Sequence, residues 1–231
     1  MKLPLNRLIE LPALHNRLRV FRDRAHAAEV LAQMLVGYRA GGAIVLGIPA
    51  GGVPVAAEVA RALALELDVA VVSKLTLPWN REAGYGALAF DGTLRLNEAL
   101  VTHVGLGAAQ IEDGVRATRA RIERRLQRLR GARPFPELAG RTAIVVDDGL
   151  ASGFTLLTAV AALRHQGATD IVVAVPTAHA ESAAAVLAQV EVLYCANLRE
   201  GLSFGVADAY QDWSDVDEDE VARLLAERVV R

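Results

Sequence analysis

The chain has 231 residues, 53% of them hydrophobic and 23% charged, with a formal net charge of −2. That length and apolar content suit one large α/β domain spanning residues 1–231, and the near-neutral charge provides no global field for nucleic acid or an anionic membrane. The lone Cys195 excludes a disulfide framework, no apolar run reaches the length of a bilayer span, and residues 1–12 lack the apolar stretch of a signal peptide. A cytoplasmic protein without a membrane partner is therefore expected.

Helical spacing of Ala28, Leu31, Leu35 and Tyr38 predicts a helix over 24–39, stopped by Gly41-Gly42. Residues 43–48 (AIVLGI) read as a buried parallel strand, and the turn 49–52 leads into a helix over 54–65. A strand over 69–73 follows. Segment 76–97 has turn residues and little helical periodicity. Residues 108–130 form a long helix with Glu112 and Arg116 at i,i+4 spacing, and the linker 131–140 holds Pro134 and Pro136. A strand from Thr142, helix 155–166, strand 171–175, helix 180–189 and strand 192–195 complete the series. Strands alternating with helices at this spacing argue a parallel sheet covered on both faces. Such sheets bind ligands outside the carboxyl ends of their strands, where the loops at 49–52, from Lys74, and at 147–155 can converge.

The densest chemical signal is 142–158, TAIVVDDGLASGFTLLT. A β-forming run ends in Asp147 and Asp148, a loop of small residues follows, and Thr155 opens an apolar helix. Two adjacent acids at the end of a buried strand are costly to place unless a ligand uses them. A small-residue loop at a helix N-terminus offers free N–H groups and the positive end of the dipole to a phosphate. A strand ending in a Gly-rich turn with Asp as helix cap would explain one acid but not two. Acceptors for sugar hydroxyls beside a phosphate cradle describe a site for a phosphorylated ribose.

This segment resembles the 5-phosphoribosyl 1-diphosphate (PRPP) motif of type I phosphoribosyltransferases, with Ser152 where that family more often has Thr. The resemblance covers nearly the whole chain from about Phe21. It implies a Rossmann-like parallel sheet with helices on both faces (core about 21–200), a flexible lid loop at 76–97, and a small C-terminal hood at about 201–231. It further implies that Asp147 and Asp148 face the ribose hydroxyls as catalytic residues, and that Gly149, Leu150, Ala151, Ser152, Gly153, Phe154 and Thr155 wrap the 5-phosphate. Ala50, Gly51 and Gly52 match the pyrophosphate loop, where related chains usually read Pro-Arg-Gly-Gly. Lys74 joins them as a catalytic and pyrophosphate-binding cation, and Ser73 stands where Arg is common, so two positive charges are missing. Arg81 and Glu82 are the polar lid candidates. Tyr210, Asp212 and Trp213 are the hood candidates for the acceptor, with packing as the competing role for the aromatic pair. Mg²⁺ would be held mainly by PRPP near Asp147 and Asp148 rather than by a protein cage. The implied reaction transfers ribose 5-phosphate from PRPP to a nitrogen acceptor, such as a nucleobase, and releases pyrophosphate. A homodimer is expected. A PRPP-sensing regulator with little turnover and a hydrolase of a phosphorylated ribose are the alternatives, the latter suggested by the missing arginines.

Three further features read as structural. The arginines at 116, 119, 121, 124, 125, 128 and 130 suit a solvated helix face better than nucleic acid. Asp217 and Glu220 match a capping box for a final helix. The five histidines show no ligand spacing, and with one cysteine no zinc site is expected.

Overall fold

The computed structural model describes residues 7–201 and 203–227, apart from the side chains at 81 and 82. Six strands form a parallel sheet: β1 (Leu8–Glu10), β2 (Ile44–Gly47), β3 (Glu66–Val69), β7 (Thr142–Val146), β8 (Asp170–His179) and β9 (Val192–Arg199). Their order is β1-β9-β8-β7-β2-β3. The central strands β2, β7 and β8 are mostly apolar because both faces are covered. Val45, Ile144, Val172 and Ala174 point into one core with α1 (Arg24–Met34) and α2 (Gly52–Leu63). Their neighbours Leu46, Val145, Ile171 and Val173 point into the other, with α5 (Phe154–His165) and α6 (Ala180–Leu187). The expected α/β sheet with helices on both faces is what the chain forms.

A second sheet is antiparallel and takes in the lid segment, which the family resemblance allows to form a β-ribbon. It consists of β4 (Val72–Leu77), β5 (Asn80–Ala89) and β6 (Leu94–Leu96), in that order. The strand expected over 69–73 is thus divided between two sheets, and Lys74 lies within β4 rather than at the end of a parallel strand. Segment 76–97 is largely structured: Leu77, Tyr85, Ala87, Leu88 and Ala89 are buried. The apolar residues of β5 divide between the two cores, which hides any single apolar face from a reading of periodicity. Helix α3 (Glu98–Val104) and the long α4 (Ala108–Arg130) follow β6, and α7 (Glu218–Ala226) packs near α2 and α4. Asp217 caps α7, its Oδ1 accepting from Glu220 N at 2.7 Å, which is one half of the expected capping box. Helix α1 is shorter than its periodicity suggests, ending at Met34 before a 3-10 turn over Val36–Tyr38. None of the helices among the described residues is long and apolar enough to cross a membrane.

Candidate functional site

A cavity of about 610 Å³ opens at the carboxyl end of β2 and β7. Its floor is built first. Strand β7 ends at Val146, and Asp147 and Asp148 follow directly, half-buried. The loop then turns under β8: Leu150 N donates to Thr177 O at 2.9 Å, and His179 N donates to Leu150 O at 3.0 Å. Ser182 donates its hydroxyl to Ala151 O. Gly153 takes φ +79°, a left-handed conformation that suits glycine, and α5 begins at the next residue. Residues 149–153 and Thr155 all line the cavity, so the first turn of α5, with its unpaired N–H groups, opens on it.

The turn after β2 closes on the acids from the other side. The Pro49–Ala50 peptide is cis, and Ala50 and Gly51 line the cavity. A Cβ at Gly51 would overlap Asp148 Oδ2, while one at Gly52 would stand 2.7 Å from Val146 O and 2.8 Å from the Cα of Asp147. The two glycines therefore let the β2 turn lie directly against the acid pair, an approach no other residue permits without displacing its neighbours.

Among the described residues the acid pair has one cation within 4.0 Å, and it reaches Asp148 alone. Arg24, the first residue of α1, places Nη2 2.9 Å and Nε 3.0 Å from Asp148 Oδ2. Burial pushes the Asp147 carboxyl well above the ordinary carboxylate range, and the neighbouring Asp148 charge adds to this; the Lys74 charge pulls the other way. Burial also raises Asp148, against the opposing pull of Arg24. Asp147 Oδ1 accepts from Asp148 N at 2.9 Å, which fixes its orientation.

The rest of the lining comes mainly from β4, α4 and the C-terminal segment. Ser73, Lys74 and Thr76 line the cavity with Arg121 and Arg125 of α4. From the C-terminal segment come Val206 and Trp213. The Arg24 guanidinium lies over the Trp213 ring, 3.9 Å from its centroid, and Arg24 Nη1 donates to Ser214 O at 2.7 Å. Tyr210 is buried and donates its hydroxyl to Asp148 O at 2.6 Å. Segments 21–22 and 209–212 are joined by Phe21 N to Ala209 O at 3.0 Å, Gln211 N to Phe21 O at 2.8 Å and Asp212 N to Arg22 O at 2.8 Å.

The sequence-derived site thus gathers in one place at Ala50, Gly51, Lys74, Asp147, Asp148, residues 149–153, Thr155 and Trp213. Gly52 and Phe154 sit behind the lining rather than in it. Tyr210 supports the Asp148 backbone and, like Asp212, does not line the cavity. The backbone of Arg81 and Glu82 lies in β5; their side chains fall outside the described residues. Arg24, Arg121, Arg125 and Val206 were not anticipated. Arg24 reads locally as the first turn of a helix capped by Asp23, and only the tertiary fold brings it to Asp148, 124 positions along the chain.

The chain is similar to known proteins of one described family. The family model described as "Phosphoribosyl transferase domain" matches residues 92–207. Two curated Mycobacterium tuberculosis proteins, "Putative phosphoribosyl transferase Rv0571c" and "Putative phosphoribosyl transferase MT0597", are each 36% identical over 208 residues. These matches take in 90% of this chain but 47% of each relative, so the chain spans about half their length. The crystal structure of TT1426 from Thermus thermophilus superposes with a TM-score of 0.73 at 34% identity, over 91% of this chain and 99% of that one.

Proposed function

This chain belongs to the phosphoribosyltransferase family, and from that premise we propose that it transfers ribose 5-phosphate from PRPP to a nitrogen acceptor, releasing pyrophosphate. The observation that carries the reading is the meeting of the Asp147-Asp148 pair, the 149–155 loop and the glycine turn 50–52 around one cavity. The loop and the α5 N-terminus suit a terminal phosphate. Asp147 and Asp148 suit the ribose hydroxyls, and a pair of buried carboxylates stabilises positive charge developing at the anomeric carbon. In the free protein that charge is absent, and burial, with the neighbouring Asp148 charge, favours a proton on Asp147. Arg24 and the Tyr210 hydroxyl orient Asp148 from its side chain and its carbonyl.

The donor set fits a magnesium ion that travels with the substrate. Among the described residues there is no cluster of three His, Cys, Asp or Glu side chains able to cage a metal. Asp147 and Asp148 would meet the ion's remaining positions or its waters, and PRPP oxygens would supply the rest. When bound, the ion neutralises charge on the departing pyrophosphate. A cytoplasmic location and a homodimer complete the proposal; the single buried Cys195 supports the first.

One observation favours a second reading, a PRPP sensor with little turnover. Of the aromatic hood candidates only Trp213 lines the cavity, and its ring already carries Arg24. A transferase must hold an acceptor beside the anomeric carbon. The test is a thermal-shift series with PRPP and Mg²⁺, followed by pyrophosphate release against purines, pyrimidines and small amines. A shift equal to that of plain phosphate would remove PRPP as ligand. A PRPP-specific shift with no acceptor-dependent release would favour the sensor.

A further inference from the structure

We propose that Arg121 and Ser73 complete the diphosphate site to which the family resemblance already assigns Lys74, so that α4 supplies a positive charge that the β2 turn lacks. The inference deepens the reading above and rests on it. Residues 49–52 of the β2 turn carry no cation, and a diphosphate presents several negative charges that backbone amides alone would have to meet.

The arginines of α4 are not equivalent. Arg121, Arg125 and Arg128 recur at helical spacing along one side, running from the cavity toward α7. At the α7 end the charges are matched: Arg125 meets Glu218 at 2.6 Å, and Arg128 meets Glu218 at 3.8 Å and also pairs with Asp219. At the cavity end they are not. Among the described residues no carboxylate lies within 4.0 Å of Arg121; its Nη2 donates to Lys74 O at 2.8 Å, which holds the guanidinium beside β4 at the cavity wall. Burial disfavours the Arg121 charge, and the positive charges of Arg125 and Arg124 add to this. A row of three arginines neutralised at one end and open at the other, where it reaches a cavity, is matched to a mobile anion.

Ser73 is an independent sign of the same ligand. It is 6% exposed, lines the cavity, and its hydroxyl has no hydrogen-bond partner among the described residues. A buried hydroxyl left unpaired costs stability that an incoming phosphate oxygen would restore. Ser73, Lys74 and Arg121 thus bring a neutral donor and two cations to a cavity that residues 149–153 and Thr155 also line. The fork of a guanidinium suits two phosphate oxygens at once.

The experiment compares three probes by calorimetry: PRPP with Mg²⁺, pyrophosphate with Mg²⁺, and ribose 5-phosphate. Arg121→Met should weaken both diphosphates about tenfold or more, the loss of a charge-assisted contact, and leave ribose 5-phosphate unchanged. Arg128→Met, at the matched end, should leave all three unchanged. Should Arg121→Met not fold, Arg121→Lys carries the test, with a partial weakening confined to the diphosphates. Equal weakening of all three probes would mean that Arg121 only secures β4, and unaltered affinities would also overturn the inference. Wild-type protein that binds neither diphosphate would overturn the phosphoribosyltransferase reading together with this one; wild-type binding with an unaffected Arg121→Met overturns this one alone.

Discussion

Two acids in the same sheet region have opposite surroundings. Asp68 on β3 faces Arg130 at the end of α4, Nη1 to Oδ1 at 2.7 Å, with both side chains 5% exposed and the guanidinium 5.0 Å from the centroid of the Phe135 ring. Its charge is met and its surroundings are closed. Asp147, two strands away, stands beside a second carboxylate, with the nearby cation committed to Asp148 and with a cavity in front. The first arrangement can only hold the fold together. The second leaves two adjacent carboxyls with one close cation at a place a ligand can reach, and such placement costs stability that binding recovers.

The sharpest way to break the comparison is to remove one partner from each site. Asp68→Ala strands the Arg130 charge in the core and should cost about 3–5 kcal/mol in urea unfolding, while any folded fraction keeps its PRPP thermal shift. If PRPP binding were lost without a loss of stability, the division between the two acids would be wrong.

Asp147→Asn should do the reverse: the unliganded melting temperature rises, and pyrophosphate release falls by about a hundredfold or more, as when a group that stabilises transition-state charge is removed. The pH dependence sharpens this further. The folded-state pKa of Asp147 is raised above its unfolded value, so the folded protein binds the proton more tightly. Its stabilising contribution is fully present below the ordinary carboxylate range and is lost as pH rises from there through the raised folded value. The gain in melting temperature from Asp147→Asn over wild type should therefore be larger at pH 8 than at pH 5. A gain independent of pH would show that Asp147 is not held protonated by its surroundings.

The smallest effect belongs to Trp213. Trp213→Ala removes the ring under Arg24 and should lower stability by about 1 kcal/mol, the scale of a partly exposed cation–π contact. In a transferase it should also reduce base-dependent release at unchanged PRPP affinity. Reduced PRPP affinity instead would indicate that Trp213 acts on Asp148 through Arg24.

What the sequence discloses follows the range of the forces involved. The β7–α5 segment carries strand, acids, loop and helix in 17 consecutive residues, so the phosphate side of the site is legible locally. The glycines at 51 and 52 are visible too, but their reason is not: it lies in the approach of Asp148 and of the backbone at Asp147, almost a hundred positions on. The split of 66–77 into two sheets escapes periodicity because Val69, Val71, Val72 and Leu75 are all apolar and buried, whichever sheet claims them. Arg24 and Arg121 are indistinguishable in sequence from the solvated arginines around them. Only Asp148 and Ser73-Lys74, brought close by the fold, give these two their meaning.

The strand order has a consequence for how the molecule comes into being. Strand β1 lies against β9, and Arg7 Nε donates to Glu191 O 184 positions away; Arg24 reaches Ser214 across 190. A ribosome that has made β7 and the whole Asp147–Thr155 loop has not yet made the strand that holds β1, nor Tyr210 and Trp213, which complete the wall around Asp148. Such distant pairings are slow to form and leave apolar edges open meanwhile. The acid pair is therefore synthesised well before it can be assembled, and a chain stopped short of Tyr210 would carry its whole phosphate loop without a finished site.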